Sequence, residues 1–70
     1  MMTIGEHMRA ARQAAGLSMV RLAEKADIAW ECLWRLETDR NKPRVETAIL
    51  LADALGIGID EYIGHVPKKG

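Results

Sequence analysis

The chain has 70 residues, which limits it to one small domain, because a polypeptide of this length buries only about 60% of the surface that its unfolded form exposes. Apolar residues make up 49% of it and charged residues 29%, a composition that favours an ordered protein over a disordered one. No apolar run approaches the roughly 20 residues that cross a bilayer, and the N-terminus lacks a secretion signal, so we expect a cytoplasmic protein without a membrane partner.

Ten basic and ten acidic side chains cancel, but they are unevenly distributed along the chain. Through residue 44 there are eight basic and six acidic side chains, and after it there are two basic and four acidic ones. Zero net charge is unusual for a domain that binds nucleic acid. The local cluster RNKPR, residues 40–44, nevertheless predicts a basic surface that attracts an anionic partner.

The residues that usually bind metals or perform catalysis are few and scattered. Cys32 is the single cysteine, and His7 and His65 are too far apart in sequence to give a zinc-ligand spacing. No nucleophile can be paired with a general base. The sequence therefore predicts neither a metal ion, a cofactor nor an enzymatic activity; we expect Cys32 to be a partly buried apolar residue and both histidines to be solvated.

The first two predicted helices have recognisable ends. In the segment TIGE, Thr3 can cap a helix while Glu6 returns a hydrogen bond to it, and Gly16 can end that helix in a left-handed conformation. Ser18 is the expected N-cap of a second helix of about eight residues. Asp27 follows where a tight turn needs a positive backbone φ, which Asp tolerates better than most residues.

The rest of the chain is also predicted to be helical. The expected elements are a third helix from about Trp30 to Glu37, a loop over 38–43, a fourth helix over about 45–55 and a last turn over about 60–63. No strand alternation occurs. The sequence therefore predicts an all-α, compact five-helix bundle in a single domain spanning residues 1–70, ordered over about 3–64, with a flexible tail over 65–70.

The second and third predicted helices have the lengths and the short connection of a helix-turn-helix. The segments IGEHMRAARQAAGLSMVRLAEKADI, LWRLE, KPRVETAILLADALGI and IDEYI, in this order and at these spacings, resemble the phage-repressor-like family, also called Xre or Cro/repressor. The resemblance covers roughly residues 4–63. It implies a lambda-repressor-like DNA-binding fold, double-stranded DNA as the partner and transcriptional regulation as the function.

The resemblance also implies where DNA would lie, because in this family the third helix enters the major groove and its neighbours hold the phosphates. The second helix would place its start, Ser18 and Met19, on a phosphate. The third helix would face the bases with Trp30, Glu31 and Arg35. The following loop would touch the DNA backbone through Arg40, Asn41, Lys42 and Arg44. Arg12 and Glu37 match positions that often form a buried ion pair away from the DNA.

The periodicity of the third helix orients it independently. At about 100° per residue, Leu33 and Leu36 share one face. The opposite face, which we expect to be exposed and to contact DNA, consists of Trp30, Glu31, Trp34 and Arg35. Glu31 and Arg35 are four residues apart in the order that favours a surface ion pair, so we expect them to pair when no DNA is bound. Either tryptophan ring could instead fold back over the loop and cover part of the core.

Several positions depart from the family's pattern. Relatives usually hold serine or threonine at three helix starts where this chain has Ala29, Arg44 and Gly58, so we expect these helices to lack side-chain caps. Met19 stands where a glutamine is frequent. Its side chain cannot donate to a phosphate, although backbone N–H groups at a helix start still can.

Apolar residues on the outer side of the last two helices indicate self-association. We expect a dimerisation surface formed by Leu50, Ile59, Tyr62 and Ile63. A two-fold dimer would place its two third helices about 34 Å apart and would read a palindromic operator. The predicted function is therefore a sequence-specific transcriptional regulator, most simply a dimeric repressor.

Two alternatives remain open on the sequence. A protein-interaction module that kept the fold but has weak or lost DNA binding could use Trp30 and Trp34 to contact a partner protein, since exposed tryptophans are common binding residues. An antitoxin-type component of a two-protein system would also fit, and it would regulate its own operon.

Overall fold

The computed structural model describes residues 1–64, which form five α-helices and no strand. The helices are α1 (Ile4–Ala14), α2 (Met19–Ala26), α3 (Trp30–Glu37), α4 (Val45–Leu55) and α5 (Ile59–Ile63). The predicted all-α, five-helix fold is confirmed. The predicted flexible tail and the predicted solvation of His65 lie outside the described residues. The prediction that His7 is solvated is wrong, because this residue is half-buried. None of the helices in residues 1–64 is long and apolar enough to cross a membrane.

The ends of α1 and α2 follow the predicted capping chemistry. The Thr3 hydroxyl accepts from the Glu6 N–H at 3.1 Å, and the Thr3 N–H donates to Glu6 Oε1 at 2.8 Å. Ser18 Oγ accepts from the Arg21 N–H at 3.1 Å and begins α2. Asp27 ends α2 with φ 59°, as expected, and α3 starts three residues later. The hydrogen bonds thus fix the starts of α1 and α2, and the left-handed Asp27 begins the short turn to α3.

The last three helices begin without a side-chain cap, as predicted. Ala29, Arg44 and Gly58 occupy the N-cap positions of α3, α4 and α5, and none of them makes a side-chain hydrogen bond to the helix. An uncapped start leaves backbone N–H groups without an internal partner. These groups are available to water or to an anion, so the absence of a cap matters most at α4, whose start directly follows the basic loop.

The core lies where the helices meet. Its largest fully buried side chains are Tyr62, Met8, Leu22, Leu33 and Leu51. The burial of Tyr62 corrects the prediction that this residue faces a dimer partner, because its side chain is 0% exposed in the single chain. The five-residue helix α5 was too short for its apolar residues to define which side faces inward.

The predicted ion pair between α1 and α3 is present. Arg12 Nε donates to Glu37 Oε2 at 2.8 Å, and Arg12 Nη2 donates to Glu37 Oε1 at 3.0 Å. The third donor, Arg12 Nη1, bonds to the Leu17 carbonyl at 2.9 Å. Its hydrogen bond with Glu37 raises the pKa of the Arg12 guanidinium. Both charges are buried, so this pair fixes the end of α3 against α1.

Candidate nucleic-acid interface

The outer face of α3 is one part of the candidate site. Glu31 and Arg35 are exposed, and the Trp30 side chain is exposed to 47% although it is large and apolar. Leu33 and Leu36 are buried on the opposite side, as the periodicity predicts. The orientation derived from the sequence therefore holds for this helix.

Trp34 lies at the border of this face and is half-buried. The guanidinium carbon of Arg40 lies 4.8 Å from the centre of the Trp34 ring, which is the geometry of a cation–π contact. Such a contact stabilises an exposed arginine by about 0.5–1 kcal/mol. The ring of Trp34 therefore holds Arg40, the first cation of the basic loop, next to α3. Trp34 is thus partly exposed and also in contact with the loop.

The predicted pair of Glu31 and Arg35 does not form. In the described part of the chain, the ion pairs join Glu37 to Arg12 and, at 4.0 Å, to Arg9, and none joins Glu31 to Arg35. A surface pair of this kind stabilises a helix by only a few tenths of a kcal/mol, which the lost side-chain freedom can offset. Because the pair is open, the carboxylate and the guanidinium are both free to meet a ligand.

The loop after α3 presents the basic residues. Arg40, Asn41, Lys42 and Arg44 are all exposed. The backbone N–H groups of Arg40 and Asn41 both donate to the Arg35 carbonyl, at 2.9 and 3.3 Å, so the loop folds back onto the end of α3. The cations of the loop and the outer face of α3 are therefore parts of one continuous surface.

A cleft lies between this loop and α4. Its lining residues are Cys32, Leu36, Asn41, Lys42, Arg44 and Thr47. Two cations therefore border the uncapped start of α4, where the backbone N–H groups and the helix dipole favour a negative charge. Cys32 is half-buried in this cleft, which agrees with the prediction of a partly buried thiol.

The two residues at the start of α2 differ in what they could offer a phosphate. Ser18 is exposed, and its hydroxyl accepts from the Arg21 N–H while keeping its own O–H as a donor. Met19 is half-buried and packs against the core. Any contact from Met19 would therefore come from its backbone N–H, and the role of both residues remains a prediction.

Sequence reasoning missed Asp39. This residue has φ 61°, its Oδ1 accepts from the Gly5 N–H at 2.9 Å, and its Oδ2 accepts from the Thr3 hydroxyl. These two bonds, first that of Thr3 and then that of Gly5, lower the pKa of the Asp39 carboxyl. The rule applied to Asp27 could have predicted the positive φ after α3, but no local pattern indicates a bond to residues more than 30 positions away.

The predicted dimerisation residues differ in exposure. Leu50 is exposed to 49% and its neighbour Ile49 to 42%, whereas Ile59 and Ile63 are half-buried. Ile63 packs partly against the core. With Tyr62 buried, the apolar surface that a second chain could contact lies mainly on α4.

Across residues 1–64, no cluster of three or more His, Cys, Asp and Glu side chains could hold a metal ion.

Comparison with known proteins agrees with the helix-turn-helix fold. A helix-turn-helix family model matches residues 8–62, which include α2, α3 and α4 in full. The immunity repressor protein of Bacillus phage phi105 is 38% identical over 64 residues, which cover 91% of this chain and 44% of that protein. The chain thus spans less than half the length of this relative. It belongs to the helix-turn-helix family, in its phage-repressor-like, Xre branch.

Proposed function

We propose that this chain is a sequence-specific DNA-binding transcriptional regulator that acts as a dimeric repressor and reads a palindromic operator through α3. The observation that carries the proposal is the continuity of two surfaces, the unpaired polar face of α3 and the exposed basic loop. The loop's first cation lies over Trp34, and its backbone bonds to Arg35. The similarity to a protein named an immunity repressor supports the same function.

The side chains on α3 suit particular base edges. An arginine such as Arg35 can donate two hydrogen bonds to guanine O6 and N7, and a glutamate such as Glu31 can accept from cytosine N4. Each good pair is worth about 1–3 kcal/mol of discrimination against the wrong base. The exposed ring of Trp30 could contact a thymine methyl group. The operator half-site should therefore contain a guanine and a cytosine whose replacement weakens binding.

Phosphate contacts would come from the loop and the start of α4. Four polar or cationic residues of the loop are exposed, namely Arg40, Asn41, Lys42 and Arg44. Three of these residues are cationic, so about three phosphates would be neutralised per subunit, and the plot of log K against log salt concentration should have a slope of about −2.7 per subunit. The net charge of zero requires that this attraction be local, and the clustering of the cations beside α3 satisfies that requirement.

Selection from random double-stranded DNA at low salt tests the proposal. We expect an enriched palindromic sequence whose half-sites are about one helical turn apart. Lys42→Ala should weaken binding to that duplex and reduce the salt slope by about 0.9. Lys25→Ala, which removes the same charge from the exposed end of α2, is the matched control and should have a smaller effect. Recovery of no enriched sequence would refute sequence-specific binding.

The dimer can be tested separately on α4. Leu50→Glu places a charge on the exposed apolar surface, so it should shift the sedimentation coefficient towards that of the monomer and weaken operator binding. Glu46→Gln, an exposed polar substitution on the same helix, is the control. A wild-type chain that sediments as a monomer on operator DNA would contradict the dimer.

The exposed tryptophan favours one second candidate, a protein-interaction module of the kind found in antitoxin-type components. Trp30 is 47% exposed, and tryptophan is enriched among the residues that dominate protein interfaces. Two substitutions distinguish the two functions. The protein-interaction module would be favoured if Trp30→Ala abolished binding to a partner protein while Lys42→Ala changed neither partner binding nor DNA binding.

A further inference from the structure

The end of α3 adopts a helix-termination motif with an aspartate at its left-handed position. The Arg40 N–H donates to the Arg35 carbonyl at 2.9 Å, and the Asp39 N–H donates to the Leu36 carbonyl at 3.2 Å. These are the two bonds of a Schellman motif. The left-handed residue of that motif is usually glycine, because a side chain there is strained. Asp39 adopts this conformation with φ 61°, so we expect its side chain to make contacts that offset the strain.

The side chain of Asp39 acts as a cap for a different helix. Gly5 is the second residue of α1, and its N–H has no partner within the helix. Asp39 Oδ1 accepts from this N–H at 2.9 Å, and Asp39 Oδ2 accepts from the hydroxyl of Thr3, the N-cap of α1. A carboxylate at the positive end of a helix dipole is favourable. The first turn of α1 thereby holds the residue that directly precedes Arg40.

The two helix ends are in close contact. A Cβ atom at Gly5 would lie 2.6 Å from the Glu37 carbonyl oxygen, 2.7 Å from that of Leu36 and 2.8 Å from Asp39 Oδ1. No side chain fits in this space, and backbone atoms cannot move away as a flexible side chain could. The absence of a side chain at Gly5 therefore allows the Asp39 carboxylate to reach α1.

We infer that Asp39 is a positioning residue for DNA binding, which fixes the basic loop through its contacts with Thr3 and Gly5. The inference rests on the proposed DNA-binding function. Asp39 itself touches no DNA. It holds the point from which the loop departs, and the bonds of Arg40 and Asn41 to the Arg35 carbonyl then set the direction of the loop.

If Asp39 had no positioning role, its removal would change the DNA affinity in the opposite direction. Asp39 is an exposed carboxylate next to Arg40, so it lies close to where DNA phosphates would bind. If it were only a surface charge, its removal would lessen repulsion and strengthen DNA binding. If it positions the loop, its removal weakens binding although the net charge becomes more positive.

The test compares two substitutions that change the charge equally. Asp39→Gly permits the left-handed backbone but removes both hydrogen bonds, whereas Asp39→Asn also tolerates this backbone and keeps an acceptor for the Gly5 N–H. The probe is the duplex enriched by the selection from random DNA. We expect Asp39→Gly to bind it about tenfold more weakly, with a salt slope shallower by about one, while Asp39→Asn stays within about threefold of the wild type.

A second pair of substitutions approaches the same contact from α1 without changing any charge. Thr3→Ser keeps the hydroxyl and should bind DNA like the wild type, whereas Thr3→Val removes the donor to Asp39 and should bind more weakly. Thr3→Val also removes the acceptor of the Glu6 N–H, so it should lower stability in either background. In the Asp39→Gly background it should cause little further loss of DNA affinity, because the contact with Asp39 is already absent. Circular dichroism shows whether each variant is folded at the temperature of the binding assay. The salt slope gives a second criterion, because partial unfolding lowers the affinity but leaves the slope unchanged.

The outcomes distinguish this inference from the proposed function. If the wild type binds the duplex and Asp39→Gly binds it equally or more tightly, or if the Gly and Asn variants bind alike, the positioning role is refuted and the DNA-binding function stands. If the wild type binds no duplex at low salt, the proposed function fails, and the positioning role fails with it.

Discussion

Replacing Arg12 by methionine should be among the most damaging changes to the stability of this chain. Arg12 and Glu37 are only 9% and 2% exposed, and the guanidinium donates three hydrogen bonds, two to Glu37 and one to the Leu17 carbonyl. Methionine has a similar length and no charge, so it leaves the Glu37 carboxylate buried without its partner. Breaking one side of a buried pair costs about 3–5 kcal/mol.

This cost is large relative to the total. A chain of this length has a free energy of unfolding of roughly 4–10 kcal/mol, taking the usual range per residue. Arg12→Met could therefore leave a substantial unfolded fraction at 25 °C. The double substitution Arg12→Met and Glu37→Met should cost much less than the sum of the single ones, because an apolar pair of similar volume leaves no charge stranded.

Urea unfolding followed by far-UV circular dichroism measures these energies. Arg9→Met is the matched control, because its guanidinium approaches the same carboxylate only to 4.0 Å and its side chain is 50% exposed. We expect it to cost below about 1 kcal/mol. The reasoning would be wrong if Arg12→Met cost no more than Arg9→Met, or if the two single effects of the buried pair simply added.

Four other predictions concern Tyr62, Asp39 and Cys32. Within residues 1–64 the buried Tyr62 hydroxyl has no hydrogen-bond partner, so Tyr62→Phe should raise the free energy of unfolding by about 1 kcal/mol in urea titrations, and a loss of that size would contradict it. Burial raises the pKa of Tyr62, so the wild type should lose stability above about pH 10, as the unfolded chain ionises first, and Tyr62→Phe should lose less. The lowered pKa of Asp39 means that its contribution is present above about pH 4 and is lost as the pH falls through the folded value; the stability difference between wild type and Asp39→Gly should shrink in acid, and a constant difference would refute it. Cys32 lies in the cleft beside the basic loop, so operator DNA should slow its labelling by a maleimide, while an unchanged rate would place the DNA elsewhere.

Much of the fold could be predicted because its determinants are local. Thr3 with Glu6, Ser18 and Asp27 each act over three residues or fewer, and the structure places a cap or a turn at each of them. The periodicity of α3 was sufficient to separate its buried leucines from its exposed residues, since eight residues make more than two turns. The buried pair of Arg12 and Glu37 was expected only from the family resemblance, because spacing alone cannot indicate that two residues 25 positions apart meet.

The errors have physical reasons too. Tyr62 was misplaced because five residues make little more than one turn, too few to show which side is covered. Glu31 and Arg35 stay apart because an exposed pair is weak compared with the freedom of its side chains. The contact of Asp39 with Thr3 and Gly5 depends on how two helix ends meet, and such an encounter is a property of packing rather than of any segment.

The placement of the aromatic residues gives this chain a natural optical signal. Both tryptophans belong to α3, the chain contains no phenylalanine, and its single tyrosine is buried. Tryptophan emission therefore reports on one eight-residue helix, and the emission of Trp34 depends on whether Arg40 remains over its ring. Denaturation followed by emission senses the proposed DNA-reading element, whereas circular dichroism senses all the helices. Coincidence of the two transitions would mean that α3 unfolds together with the rest of the protein, and an earlier change in emission would mean that this element loosens while the core persists.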